Sequence, residues 1–202
     1  MIDKAFIDSH IDDLIDCVNK ASKEIINVYK SDDFGQIEKS DGSPLTIADK
    51  NANQVILDEL KLISSDISII SEETFENNLL KNLDKTYWLV DPLDGTREFI
   101  NKTDEFTVNI ALINNKQAIF GIVAAPVSGK IWHGSIFDKN KTEEESVDKI
   151  RIVMSKSHKS ENDRAFLEFI DSKNINYEII EKGSSLKLCS LADNEADIYP
   201  RF

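Results

Sequence analysis

The sequence predicts an α/β protein in which helices lie in layers against a β-sheet. Three observations carry that reading. Residues 4–29 place Ile7, Ile11, Leu14, Ile15, Val18, Ala21, Ile25 and Val28 at three- and four-residue spacings, the stripe of a long amphipathic helix. Residues 46–62 do the same with Ile47, Val55, Ile56, Leu57 and Leu60. From Glu105 the pattern becomes that of strands, FTVNIALIN, QAIFGIVAAP and KIWHGSIF, separated by Asn114-Asn115 and Ser128-Gly129 turns. After residue 150, short strand-like and helix-like segments alternate.

The totals limit what such a protein can do. A chain of 202 residues is long enough for one large or two small domains with a core. Its net charge of −13 argues against binding polymeric nucleic acid. A small phosphate ester stays open, because bound metal ions can reverse the local sign. There is no apolar run long enough for a membrane span, and the first residues, MIDKAFIDSH, lack a signal-peptide pattern. Cys17 and Cys189 are isolated, as in a reducing compartment, and His10, His133 and His158 are scattered, which argues against a zinc centre. The expectation is a soluble cytoplasmic protein, with peripheral membrane association and oligomerisation left open.

Taken in order, the first helix needs only a packing role. Residues 31–44 are polar and turn-rich, a loop or loose hairpin. Thr46 and Asp49 sit at N-cap and N3 of the second helix, close to a capping box, which by itself explains both. Ile67–Ile70 reads as a short strand leading into Ser71-Glu72-Glu73, and residues 74–85 as a short helix or loop. Tyr87–Val90 reads as a buried strand, expected to stop at Asp91-Pro92 because proline cannot donate to a central ladder. Asp94 follows three residues after Asp91, so two carboxylates can converge at the strand's end. Facing acids need a proton or a cation, and Mg²⁺ takes such oxygens together with phosphate. Gly95 and Thr96, where the chain turns into a helix, offer N–H groups to an anion. The plainer reading makes Asp91 and Asp94 turn and cap residues, since turns use Asp, Pro and Gly anyway.

The three strands after Glu105 form an antiparallel meander with one face toward helices. Residues 139–149, KNKTEEESVDK, mark a domain boundary: a first domain over 1–140, a linker over 141–149 and a second domain over 150–202. In the second, IRIVMS is a strand, residues 162–170 a helix with Phe166, Leu167 and Ile170 inward, and INYEII a strand. Gly183-Ser184-Ser185 opens a helix, as an anion site or a plain cap, and Asp197-Ile198-Tyr199 starts a strand.

The string WLVDPLDGTREF with EFTVNIALI resembles the metal-dependent, lithium-sensitive phosphatase superfamily that includes inositol monophosphatases. Further matches are Lys39 with DGSPLT, TIAD at 46–49, SEE at 71–73, SKSH at 155–158, GSSLK at 183–187 and YPRF at 199–202. Together they are similar to the 3′(2′),5′-bisphosphate nucleotidase branch. The resemblance implies alternating helix and sheet layers and two or three Mg²⁺ ions. It implies Glu72, Asp91, the Leu93 carbonyl and Asp94 as ligands, with Glu73 near the metal or in a substrate loop. It gives Asp49 and Thr96 the activation of water, and Gly95 and Thr96 the transferred phosphate. Lys39 would face phosphate or metal. His158 and Gly183, Ser184 and Ser185 would touch the adenosine part or its phosphate, and Lys187 and Arg201 the phosphate that stays on the product.

The implied activity is hydrolysis of adenosine 3′,5′-bisphosphate to AMP, in sulfur assimilation. An inositol or sugar phosphate phosphatase and a non-catalytic nucleotide-binding fragment are the alternatives. In the family YPRF is followed by a W-D-T-A-x-G segment whose aspartate completes the second metal site. The chain stops before it, so an incomplete second α/β domain and a weakened second metal are expected.

Overall fold

The structure, a computed structural model, describes residues 2–31, 33–39, 42–74, 85–138, 148–156 and 160–202. Its contacts divide the chain into two compact units, Met1–Lys139 and Asn140–Phe202. Within the expected linker only residues 148 and 149 are described, and Lys149 pairs there with Glu178 at 2.8 Å. Among the described residues no helix is long and apolar enough to cross a membrane.

The first unit begins with α1 (Lys4–Tyr29), capped by Asp3, whose carboxylate accepts the Phe6 N–H. Its stripe buries Ile7, Leu14, Cys17, Val18, Ala21 and Ile25. A small hairpin follows, β1 (Ile37–Glu38) against β2 (Pro44–Leu45). Then comes α2 (Ile47–Ile63), with Thr46 and Asp49 closing a capping box. The core side of α2 is the four-residue row Ala48, Ala52, Ile56 and Leu60. Ile47, expected inward, is 43 % exposed. As the first helical residue it leans instead on the preceding loop. Gly35 has a left-handed φ of 53°, and a Cβ there would lie 2.5 Å from Ile47 Cδ1, so a substitution would be strained and would displace the end of the Ile47 side chain.

The sheet runs in the order β3 (Ser68–Ser71), β4 (Thr86–Asp94), β5 (Thr107–Asn114), β6 (Gln117–Ala125), β7 (Lys130–Ser135). It is mixed rather than antiparallel: β3 pairs parallel with β4, and the other three pairings are antiparallel. A parallel neighbour needs a long connection, and residues 72–85 separate β3 from β4. One face packs on α1 and α2 through Trp88, Val90, Val108, Ile110, Leu112, Phe120, Ile122 and Ala124. Trp88, with no exposed surface, gives its Nε1–H to Ser64 Oγ at 2.8 Å.

Two expectations about β4 and β5 are corrected. The strand does not stop at Pro92. It continues to Asp94 through a bulge, Asp91 facing Asn109 and Asp94 facing Thr107, so three steps on β4 match two on β5. Pro92 sits inside the bulge, where no ladder hydrogen bond is asked of it. The β5–β6 turn falls on Asn115 and Lys116, with φ of 49° and 67°, one residue later than expected. Both angles suit the primed turns that match strand twist. After β4, α3 (Thr96–Ile100) buries Phe99 among Tyr29, Phe34 and Phe106, ring centroids 4.8–5.2 Å apart.

In the second unit β8 (Ile150–Ser155) pairs parallel with β9 (Tyr177–Lys182). Between them lies α4 (Glu161–Ser172), started by a Ser160/Asp163 capping box that the sequence reading passed over. Ile198 joins β8 through one parallel bridge to Ile152, in place of a strand. The Arg151 guanidinium fixes that return by donating to both Asp197 oxygens, at 3.1 and 2.7 Å.

Candidate active site

Four elements of the first unit bring the sequence-selected residues together: the start of α2, the end of β3, the bulge of β4 and the start of α3. Asp49 is placed by its own helix cap. Its Oδ2 accepts the Thr46 N–H at 2.7 Å and the Thr46 hydroxyl at 2.6 Å. Its Oδ1 accepts the Thr96 hydroxyl at 3.2 Å. Capping and the partnership with Thr96 therefore use different oxygens of one carboxylate. Burial pushes this carboxyl above the usual range, while the bonds from Thr46 and Thr96 pull it down.

Thr96 Oγ1 is equally close, 3.2 Å, to the Leu93 carbonyl oxygen, so its single proton has two acceptors. Thr96 opens α3 directly after Gly95, whose φ of 91° lies in the left-handed region that a Cβ disfavours. The glycine lets the chain reverse from strand to helix without strain.

The bulge carries Asp91 and Asp94. Asp91 Oδ1 accepts the Leu93 N–H at 3.2 Å, which closes the turn over Pro92. Burial first, then the charges of Asp94 and Glu72, push the Asp91 carboxyl up to about 8, and a hydrogen bond with Glu72 adds to the rise. A proton is thus retained where three acids crowd, unless a cation takes its place.

Glu72 and Glu73 follow β3 in a single 3₁₀ turn, Glu72–Thr74. Lys39, just past β1, donates from Nζ to Glu72 Oε1 at 2.8 Å and Glu73 Oε1 at 2.9 Å. Burial works to lower the Lys39 pKa, but the two carboxylates outweigh it and hold it above its ordinary value. Burial in turn raises the Glu73 carboxyl, against the pull of Lys39.

Among the described residues no three His, Cys, Asp or Glu side chains form a ready ligand set, and the Glu72 oxygen is taken by Lys39. The donor chemistry still suits a hard divalent cation. It consists of oxygens alone, from Glu72, Asp91, Asp94 and the Leu93 carbonyl, and its most crowded acid holds a proton that a cation would replace.

The sequence reading gave no role to two supporting residues, Ser71 and Asn53. The Ser71 hydroxyl donates to Asn53 Oδ1 at 2.5 Å, with both residues buried. Ser71 Oγ also accepts the Glu73 N–H at 3.4 Å, which ties the acidic turn to α2. Asn53 lies one helical turn after Asp49, and two polar residues at that spacing beside the apolar row of α2 were the available signal.

The remaining selected residues belong to the second unit. Ser184 has a φ of 44°, and Ser185 precedes α5 (Leu186–Ala192). Lys187, only 8 % exposed, donates to the Ser184 carbonyl at 2.6 Å and stands 5.9 Å from the Tyr199 ring centroid. Arg201 Nη1 donates to the Tyr199 hydroxyl at 3.2 Å. Gly183 opens the strand-to-helix connection directly after β9, and His158 lies outside the described residues.

Residues 9–202 match the profile of the inositol monophosphatase family. The chain is 35 % identical over 201 residues to the 3′(2′),5′-bisphosphate nucleotidase CysQ of Escherichia coli O6:H1, across 95 % of this chain and 80 % of that protein. It is 39 % identical over 204 residues to the protein of the same name from Buchnera aphidicola subsp. Acyrthosiphon pisum, across 95 % and 75 % of the two. Among solved structures, CysQ from Bacteroides thetaiotaomicron has a TM-score of 0.80 at 32 % identity, covering 96 % of this chain and 80 % of that one.

Proposed function

The chain belongs to the inositol monophosphatase family, and from that premise we propose that it is a bisphosphate nucleotidase. It is a phosphoric monoester hydrolase that removes the 3′-phosphate of adenosine 3′,5′-bisphosphate to give AMP and inorganic phosphate. The observation that carries the reading is the Thr96 hydroxyl 3.2 Å from buried Asp49, next to a bulge that crowds oxygen ligands around Asp91.

The chain's own residues supply positioning and proton handling. Thr96 Oγ1 accepts a proton from the attacking water as its own proton passes to Asp49 Oδ1. The capping bonds on Oδ2 keep Asp49 from rotating away. The N–H groups of Gly95 and Thr96 hold the phosphoryl oxygens as charge builds on them. Held by Glu72, Asp91, Asp94 and the Leu93 carbonyl, Mg²⁺, two or three ions of it, would neutralise the phosphate and lower the pKa of the nucleophilic water. Lys39 adds positive charge beside Glu72. In the second unit we assign Gly183, Ser184, Ser185, Lys187 and Arg201, together with His158, to the rest of the nucleotide, on the resemblance of their motifs to the bisphosphate nucleotidase branch. Mg²⁺ dependence, suppression by Li⁺ and a cytoplasmic place in sulfur assimilation belong to the same reading.

The test is phosphate release from adenosine 3′,5′-bisphosphate by the 202-residue chain, with and without Mg²⁺, against inositol 1-phosphate as comparator. Release that requires Mg²⁺ and favours the bisphosphate is expected. Preference for inositol 1-phosphate, or no release from either, would overturn the assignment.

A further inference from the structure

Lys39 already places a positive charge on two carboxylates of the site, and its two contacts are unequal. Nζ stands 2.8 Å from Glu72 and 2.9 Å from Glu73, yet the Glu73 side chain is 7 % exposed and the Glu72 side chain 52 %. A buried carboxylate needs its partner, because losing it leaves an unpaired charge out of water. A half-exposed one parts from its lysine at little cost.

The same lysine is built into the β1–β2 hairpin, its N–H bonded to the Ser43 carbonyl at 2.8 Å and its carbonyl to the Gly42 N–H at 3.0 Å. We propose that Lys39 is a resident counter-cation, retained by Glu73 and surrendered by Glu72 when a divalent cation binds. The inference rests on Glu72 being a metal ligand. Cation affinity is then set by an exchange inside the protein, and each binding event removes one of the two tethers that the Lys39 side chain gives the hairpin.

The experiment is calorimetric titration of the full chain with Mg²⁺ alone, without substrate. Lys39→Gln, which can still donate to Glu73, should tighten binding roughly threefold to fivefold, the size of one partly exposed ion pair. Lys39→Arg should stay near wild type, and so should Lys61→Met, which removes an exposed charge from the last turn of α2. In a Glu72→Gln background Mg²⁺ should bind more weakly and the Lys39→Gln gain should vanish. Unchanged or weaker binding by Lys39→Gln, or equal tightening by Lys61→Met, would overturn the exchange while Glu72 stays a ligand. Wild-type affinity in Glu72→Gln would instead remove the ligand assignment and the inference with it. Amide exchange of wild-type protein is independent of any variant's folding. Mg²⁺ should speed exchange at the Lys39 N–H, and an unchanged rate would refute the loosening.

Discussion

The Thr96 hydroxyl and Asp49 Oδ1 lie 3.2 Å apart, while Asp49 Oδ2 is committed to the N-cap of α2. A helix cap therefore orients a reactive carboxylate, and the two jobs can be separated by mutation. Thr96→Val removes the hydroxyl and leaves the cap intact, so turnover should fall about 10²–10⁴-fold, the usual worth of a positioned proton acceptor. The melting temperature should hardly move. Asp49→Ala should lose activity and also about 1 kcal/mol of stability with the cap. Steady-state kinetics beside thermal melts separate the outcomes, and a Thr96→Val enzyme with wild-type turnover would remove Thr96 from the chemistry.

Asp91 is the acid most burdened by its neighbours, so its charge matters in opposite ways to stability and to activity. With metal chelated, Asp91→Asn removes a carboxyl that burial first, then Asp94 and Glu72, push up to about 8. Near pH 7 the folded state must take up a proton there that the unfolded chain does not carry, and Asn needs none, so the melting temperature should rise in the presence of chelator. With Mg²⁺ supplied, the same variant lacks the central ligand, and phosphate release should fall at least about a hundredfold. A variant that is active, or one that melts lower in chelator, would contradict the crowding of charge around Asp91.

The helices and the β5–β7 meander were legible because burial repeats with the period of each element. Ile7 to Ile25 on α1 is one such row, and alternate residues of β5 are another. What stayed hidden depends on partners far away in sequence. That β3 lies parallel to β4 is decided by pairing, which local pattern does not encode. Pro92 was read by a rule about flat ladders, and the bulge exempts it. Lys39 was assigned to phosphate or metal through its motif alone, and its pairing with Glu72 and Glu73 stayed hidden because those carboxylates lie 33 and 34 residues downstream. The motif strings singled out Asp49, Asp91, Asp94 and Thr96 as candidates, but only the fold showed that Asp49 divides its two oxygens between cap and Thr96.

The Ser71–Asn53 bond tests how the acidic turn is held. Asn53→Ala leaves the buried Ser71 hydroxyl without its 2.5 Å acceptor, which should cost about 1–3 kcal/mol. Ser71→Ala should cost a similar amount. Together they should cost clearly less than the sum, because the second change removes the group that the first left unpaired. Because Ser71 Oγ also accepts the Glu73 N–H, both single variants should weaken Mg²⁺ binding as well. Denaturant melts of the four proteins close the cycle, and strictly additive losses would mean the bond is not the link between α2 and the turn.

Cys17 gives a pH dependence that can be read without touching the site. It lies on α1 with no exposed surface, and burial pushes its thiol from 9.0 up to about 12, with a smaller push from Glu59 that Lys20 partly offsets. The folded state keeps the proton that the unfolded chain releases above pH 9, so the contribution is intact below that pH and is lost as pH climbs toward 12. The loss proceeds at up to about 1.4 kcal/mol per pH unit. Lysines and tyrosines titrate in the same window, but they are common to wild type and Cys17→Ala and cancel in the difference. Urea unfolding of the two proteins between pH 8 and about 10.5 should therefore show wild type losing stability more steeply above pH 9. In native protein the thiol should also resist a disulfide reagent at pH 8 and react once the chain is unfolded. Parallel stability curves, or rapid native labelling of Cys17, would show that α1 does not hold this side chain out of water.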